Sequence, residues 1–206
     1  MKPASRVAGR AGAWPLGLRR LFVLAALLIL LDVRADAPGL WTLDPGVSAI
    51  TFEATQAGAR FEGRFETFAA EVRFDPEALD ASSAEVRIDT ASVATGNRDR
   101  DATLEGEDFF AVRRFPTATY VADAFEPVAG GRYRAFGQLR IRDVTRDVPL
   151  VFSVSPQGEG WLLEGTAKLS RLDFGLGASG DWSDTRWVGD EVAIRVRVLA
   201  SAVSDG

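Results

Sequence analysis

The sequence predicts an all-β domain, a sandwich or a barrel, on three observations. From Trp41 onward, stretch after stretch alternates apolar and polar residues with a period of two and stops at turn residues, the signature of half-buried strands. Only one segment reads as a helix. Residues 136–154, FGQLRIRDVTRDVPLVFSV, form two alternating runs about a short polar turn, with Leu139 and Ile141 before it and Val148, Leu150, Phe152 and Val154 after it. A lone hairpin is marginal in water, so this oily face needs further strands, or something bound, to cover it.

The elements follow in chain order. Lys2, Arg6, Arg10, Arg19 and Arg20 precede the apolar run of residues 21–31, and the small residues around Ala35 follow it, which is the order of an export signal. Residues 1–35 are therefore expected to be removed, leaving a mature domain of residues 36–206. The run of 11 residues is short of the ~20 that a membrane-spanning helix needs, so no permanent membrane anchor is expected. Arg19-Arg20 leaves the general and the twin-arginine export routes both open.

In the mature chain Ile50, Phe52 and Ala54 alternate with Thr51 and Glu53. Residues 61–74 hold an aromatic-rich pair of alternations that includes Phe61 and Phe65, and Val86 and Ile88 alternate with Arg87 and Asp89. The helix is placed over residues 98–104, capped by Asn97. Tyr120, Ala122 and Ala124 should share a face, and Gly130-Gly131 turns the chain into the central hairpin. Pro149 lacks an N–H and should mark an interrupted or bulged ladder. A turn at residues 157–160 leads to Trp161, Leu163, Ala167 and Leu169. The last strand sets Val192, Ile194, Val196 and Val198 against Arg195 and Arg197.

Composition excludes several chemistries. The chain has no histidine and no cysteine, which removes zinc sites of the usual kind, histidine triads, thiol nucleophiles, disulfides and a lipidated N-terminus. Without residues 1–35 it carries 18 basic and 28 acidic residues, a net charge near −10, which argues against nucleic acid as a partner. Gly175 to Gly180 fits G-x-G-x-x-G, but loop residues 181–184 follow where a nucleotide site needs a helix. Asn97, Asp99, Asp101, Thr103, Glu105 and Asp108 have calcium-loop spacing, yet Ala102 stands where the sharp turn needs glycine. No carboxylate pair is singled out by its setting. The phenylalanines either fill a core or line a cavity, and pattern alone favours filling.

Four ordered segments together resemble the YceI-like family of exported polyisoprenoid-binding proteins: residues 43–48 (LDPGVS), residues 100–119 with Arg100-Asp101, Asp108-Phe109-Phe110 and Phe115-Pro116-Thr117, residues 139–146 (LRIRDVTR) and residues 170–175 (SRLDFG). The resemblance implies a lipocalin-like antiparallel β-barrel of about eight strands with one or two short helices. It also implies a periplasmic binder or carrier, not an enzyme, that holds a long isoprenoid-like lipid, a quinone or polyprenyl tail, inside the barrel. The inward apolar positions expected to line it are Ile50, Phe52, Phe61, Phe65, Leu139, Ile141, Leu150, Phe152, Leu163 and Ile194. No metal and no cofactor other than the lipid is expected, and a homodimer stays open. The family has histidine where this chain has Val47 and Thr103, and asparagine where it has Ser170. A stress-related sequestering or interaction protein with a filled barrel is the alternative, and a carboxylate-based hydrolase a more distant one.

Overall fold

The computed structural model describes residues 40–202 except 45 and 159; the expected export signal and its boundary at residue 35 lie outside the described residues. Twelve strands are present: β1 (Leu40–Leu43), β2 (Ala49–Gln56), β3 (Ala59–Phe65), β4 (Phe68–Arg73), β5 (Ser83–Asp89), β6 (Val93–Ala94), β7 (Thr117–Val128), β8 (Arg132–Ile141), β9 (Val144–Asp147), β10 (Leu150–Gln157), β11 (Gly160–Ser170) and β12 (Glu191–Ala202). All pair antiparallel in one sheet, whose path runs β1-β4-β5-β7-β8-β10-β11-β12-β2-β3-β6, with β9 on β8. β1 also pairs with β12 through Trp41 opposite Ala202, beyond the stretch of β12 that pairs with β2.

The expectation of a plain barrel of about eight strands is therefore corrected to a twelve-stranded sheet. The reason is local: four breaks divide longer runs in two. Between β1 and β2 the Asp44 carboxylate accepts from Gly46 N at 2.9 Å and folds the chain into a turn. Residues 66–67 separate β3 from β4, and a 3-10 turn at Thr90–Ser92 separates β5 from β6. Between β9 and β10 Val148 N still donates to Gly137 O at 2.8 Å, but Pro149 has no N–H to continue, so the ladder stops where proline predicts.

Two further details differ from the sequence reading. The central hairpin turns at Arg142-Asp143, earlier than expected, so Val144 already starts β9. The register of β7 shifts between Ala122 and Ala124, and this bulge sends Ala124 outward while Phe125 turns in. Hydrophobic alternation cannot show the extra residue. The β2–β3 turn, by contrast, is local chemistry: Ala57 and Gly58 have φ of 51° and 76°, the positive pair that a two-residue hairpin requires and glycine adopts without strain.

One α-helix is described, α1 (Arg98–Glu105), with Asn97 Oδ1 accepting from Asp99 N and Arg100 N, both at 3.1 Å. Short 3-10 turns lie at Leu79–Ala81, Thr90–Ser92, Leu172–Phe174 and Gly180–Ser183. The residues with calcium-loop spacing follow the helix from its cap, and Asp101 is taken up by Thr95, whose N and Oγ1 donate to it at 2.8 and 2.6 Å. No helix among the described residues is long and apolar enough to cross a membrane.

The inward face carries two apolar clusters. One gathers Ile50, Phe52, Ile88, Phe109, Phe110, Ile141 and Phe174 at the end covered by α1 and the loop of residues 171–190. The other gathers Trp41, Phe74, Phe152, Leu163 and Val198 toward the opposite end. At roughly 1.5–3 kcal/mol for each fully buried side chain, these clusters supply most of the drive to fold in a chain without disulfides.

Candidate ligand cavity

Period-two alternation brings one side chain in two to the inward face, so the strands together wall an interior from both clusters. Between them lies a cavity of about 220 Å³ whose lining is almost wholly apolar. All ten residues proposed from the sequence border it: Ile50 and Phe52 from β2, Phe61 and Phe65 from β3, Leu139 and Ile141 from β8, Leu150 and Phe152 from β10, Leu163 from β11 and Ile194 from β12. The volume is somewhat below the ~300 Å³ where pockets for drug-sized ligands begin, so the space suits a slim chain better than a broad ring.

Glycines keep this space open. Gly63 stands across from Phe52 and Gly165 across from Phe152, and Tyr120 lies over Gly137, two residues along β8 from its own cross-strand partner Leu139. A Cβ at Gly63 would meet the Phe52 ring at its edge, one at Gly137 would collide with the Tyr120 ring, and one at Gly165 would press on Leu150 and Phe152 at 3.1 Å. The Phe52 and Tyr120 rings and the Leu150 side chain thus approach bare backbone where any larger residue would push them toward the centre.

The lining includes two polar groups that the sequence reading did not single out. Tyr120 Oη is buried and has no hydrogen-bond partner among the described residues. Burial pushes its phenol up to about 12, so the hydroxyl stays neutral in the apolar wall. Arg171, 3% exposed, closes the α1 end. Its Nε donates to Gly189 O at 3.0 Å, Nη1 to Leu176 O and Gly177 O at 2.7 and 2.8 Å, and Nη2 to Trp182 O and Val188 O at 2.7 and 2.8 Å. All five N–H groups are used, each on a backbone carbonyl.

Burial pushes the Arg171 guanidinium below its usual value and Asp190 acts the other way, but that value is high enough that the group remains charged. Asp190 Oδ1 also accepts from Ser170 Oγ at 2.8 Å and Leu172 N at 3.1 Å, which holds both ends of the loop together. Ser170, one of the departures from the family pattern, is thus a loop tie. Val47 is 46% exposed, on the turn between β1 and β2. The glycine motif also finds its place: Gly177 has φ of 57°, and a Cβ there would meet Arg171 Nη1 and the Phe109 ring at 2.9 Å. The sequence did hold a signal for Arg171, since it continues the inward parity of Leu163, Ala167 and Leu169.

The described residues thus define one class of architecture, a single antiparallel sheet folded about an apolar cavity. The chain belongs to the YceI-like domain family, which matches residues 41–200. A UPF0312 protein of Vibrio vulnificus is 26% identical over 165 residues, 75% of this chain and 86% of that protein. A UPF0312 protein of Pseudomonas savastanoi is 29% identical over 145 residues, 66% of this chain and 74% of that protein. Among solved structures, Burkholderia cenocepacia BcnA is 31% identical with a TM-score of 0.74, covering 78% of this chain and all of that one. A polyisoprenoid binding domain from Saccharophagus degradans, implicated in plant cell wall breakdown, is similar in fold with a TM-score of 0.63 at 15% identity, over 80% of this chain and 99% of that one.

Proposed function

We propose that this protein is a periplasmic, non-catalytic binder or carrier of a long isoprenoid-like lipid, a quinone or a polyprenyl chain, with the tail inside the sheet as in a lipocalin-like barrel. The observation that carries the reading is the apolar cavity walled by Ile50, Phe52, Phe61, Phe65, Leu139, Ile141, Leu150, Phe152, Leu163 and Ile194. Each buried CH₂ of a tail contributes roughly 0.8 kcal/mol before ordering costs, so a long branched chain gains affinity from many weak contacts and needs no single polar anchor. The similar fold of a polyisoprenoid binding domain supports the same ligand class.

Native mass spectrometry of protein purified from its own host tests the proposal. A retained lipid of isoprenoid mass is the expected result, and protein that is empty and takes up no prenyl lipid on titration would be a filled sheet instead. That second reading has its own support, because the end opposite α1 is packed with Phe74, Phe125, Tyr133 and Phe152 rings. On that view the outer surface, not the interior, makes the functional contacts.

A further inference from the structure

Two buried side-chain polar atoms have no hydrogen-bond partner among the described residues, Tyr120 Oη and Arg142 Nε, and of the two residues only Tyr120 borders the apolar cavity. Its phenol lies over Gly137 of β8, where a Cβ would collide with both Cζ and Oη. The backbone at that point is committed, since Gly137 O accepts from Val148 N at 2.8 Å. Trp41 and Arg171, also on the lining, carry donors and no acceptor. The wall thus holds the hydroxyl in place and gives it nothing to donate to.

Three physical arguments limit what can answer it. A buried water needs about 2–4 polar partners, and the lining around this hydroxyl is almost wholly apolar, so a lone water is held poorly. An ionised acceptor would lose its own hydration in an apolar wall without a counter-charge, so the acceptor is neutral. The third argument is depth. Gly137 stands four residues before Ile141, the end of β8 and a member of the cluster at the α1 end, which is roughly 13 Å along a strand that rises ~3.3 Å per residue. Tyr120 itself packs against the opposite cluster. An acceptor at that depth belongs to the chain of a ligand, not to a group held at the α1 end.

We propose that Tyr120 Oη is a specificity-determining donor inside the cavity, and that the preferred ligand carries a neutral oxygen, a keto, ether or hydroxyl oxygen, part-way along its chain. The inference rests on the carrier reading and adds a chemical requirement on the tail. A plain prenyl tail fills the same space, but its double bonds are weak acceptors and leave the hydroxyl largely unanswered. An unmade buried donor destabilises the empty protein, and the ligand's oxygen removes that cost when it binds.

Displacement of a fluorescent prenyl reporter by a C20 prenyl hydrocarbon, and by ketones of the same chain with the carbonyl at successive positions, tests the proposal. One mid-chain ketone is expected to bind about tenfold tighter than the hydrocarbon, the worth of a hydrogen bond to a donor otherwise left unpaired. Tyr120→Phe, which removes one oxygen and keeps the ring, should abolish that preference and leave the hydrocarbon within about twofold. A merely structural role would shift all probes alike. The infrared band of the bound ketone's carbonyl, ¹³C-labelled, should lie lower in the unmodified protein than in Tyr120→Phe, and if that variant folds poorly the band in the unmodified protein decides by itself against the same ketone in hexane. Equal binding of every ketone and the hydrocarbon, a preference that survives in Tyr120→Phe, or a carbonyl band at its hexane position overturns the proposal. If the hydrocarbon binds and no ketone is preferred, only this inference falls; if no probe binds, the carrier reading falls with it.

Discussion

The two ends of the interior are closed by opposite means. At the α1 end one guanidinium, Arg171, gathers five backbone carbonyls from residues 176–189, and Arg142 adds longer contacts at 3.2 Å to Phe109 O and 3.3 Å to Gly175 O. At the other end no charge is buried among the described residues; Phe74 meets Tyr133, Phe152, Phe125 and Trp41 with ring centroids 5.0, 5.2, 5.9 and 6.1 Å apart, all near edge-to-face. The difference teaches how each end should fail. Directional bonds to one group are lost together when that group goes, whereas many ring contacts are redundant and are lost in part.

The largest expected effect breaks the comparison at its polar side. Arg171→Met leaves five carbonyls without that donor, three of them in buried contacts and two part-buried, and at about 1 kcal/mol or more for each buried one the loop of residues 171–190 should release and the protein lose ~4 kcal/mol. Thermal unfolding measures it, and a shift of under a few degrees would show that water replaces the guanidinium easily. Phe74→Ala should follow at about 3–4 kcal/mol, from the cavity that it leaves. Its native state should nevertheless keep the α1 end intact, which protection of the Leu176 and Gly177 amides against hydrogen exchange would report.

Leu150→Trp sharpens the comparison from inside the cavity. It should cost about 1–3 kcal/mol by overpacking and reduce the mass or amount of retained lipid; unchanged lipid content would place the tail elsewhere. Tyr120→Phe is expected to raise stability by about 1 kcal/mol, because it removes a buried hydroxyl that has no partner. It should also remove a pH dependence. The phenol is raised in the folded state to about 12 from an ordinary 10, so the folded form holds its proton more firmly and its stability is fully present below pH 10 and lost as pH rises toward 12. The gap between the alkaline unfolding curves of the two proteins should be constant below pH 10 and widen only in that window. The smallest effect belongs to Arg195→Ala on the outer face, where contacts of 3.3 Å to Glu53 and 3.2 Å to Glu62 are exposed to screening. A change within ~0.5 kcal/mol, and no change in lipid content, is expected.

What the chain determined by itself were the properties written in neighbouring residues. Alternation assigned the strands and placed Leu139, Ile141, Leu150 and Phe152 on one face, Asn97 set the start of α1, and Pro149 set the break in the ladder. Such features depend on backbone chemistry over a few residues, which sequence shows directly. Only the tertiary structure decided the rest. The β7 bulge, the close approach of Phe52 to Gly63, of Tyr120 to Gly137 and of Leu150 to Gly165, and the capture of carbonyls by Arg171 all depend on groups brought together by the fold. The choice between a filled core and a cavity belongs there too. The same phenylalanines could pack the centre or lie against its walls, and what each does depends on the residue across the sheet from it, a glycine for Phe52 but Ala54 for Phe61 and Ile50 for Phe65.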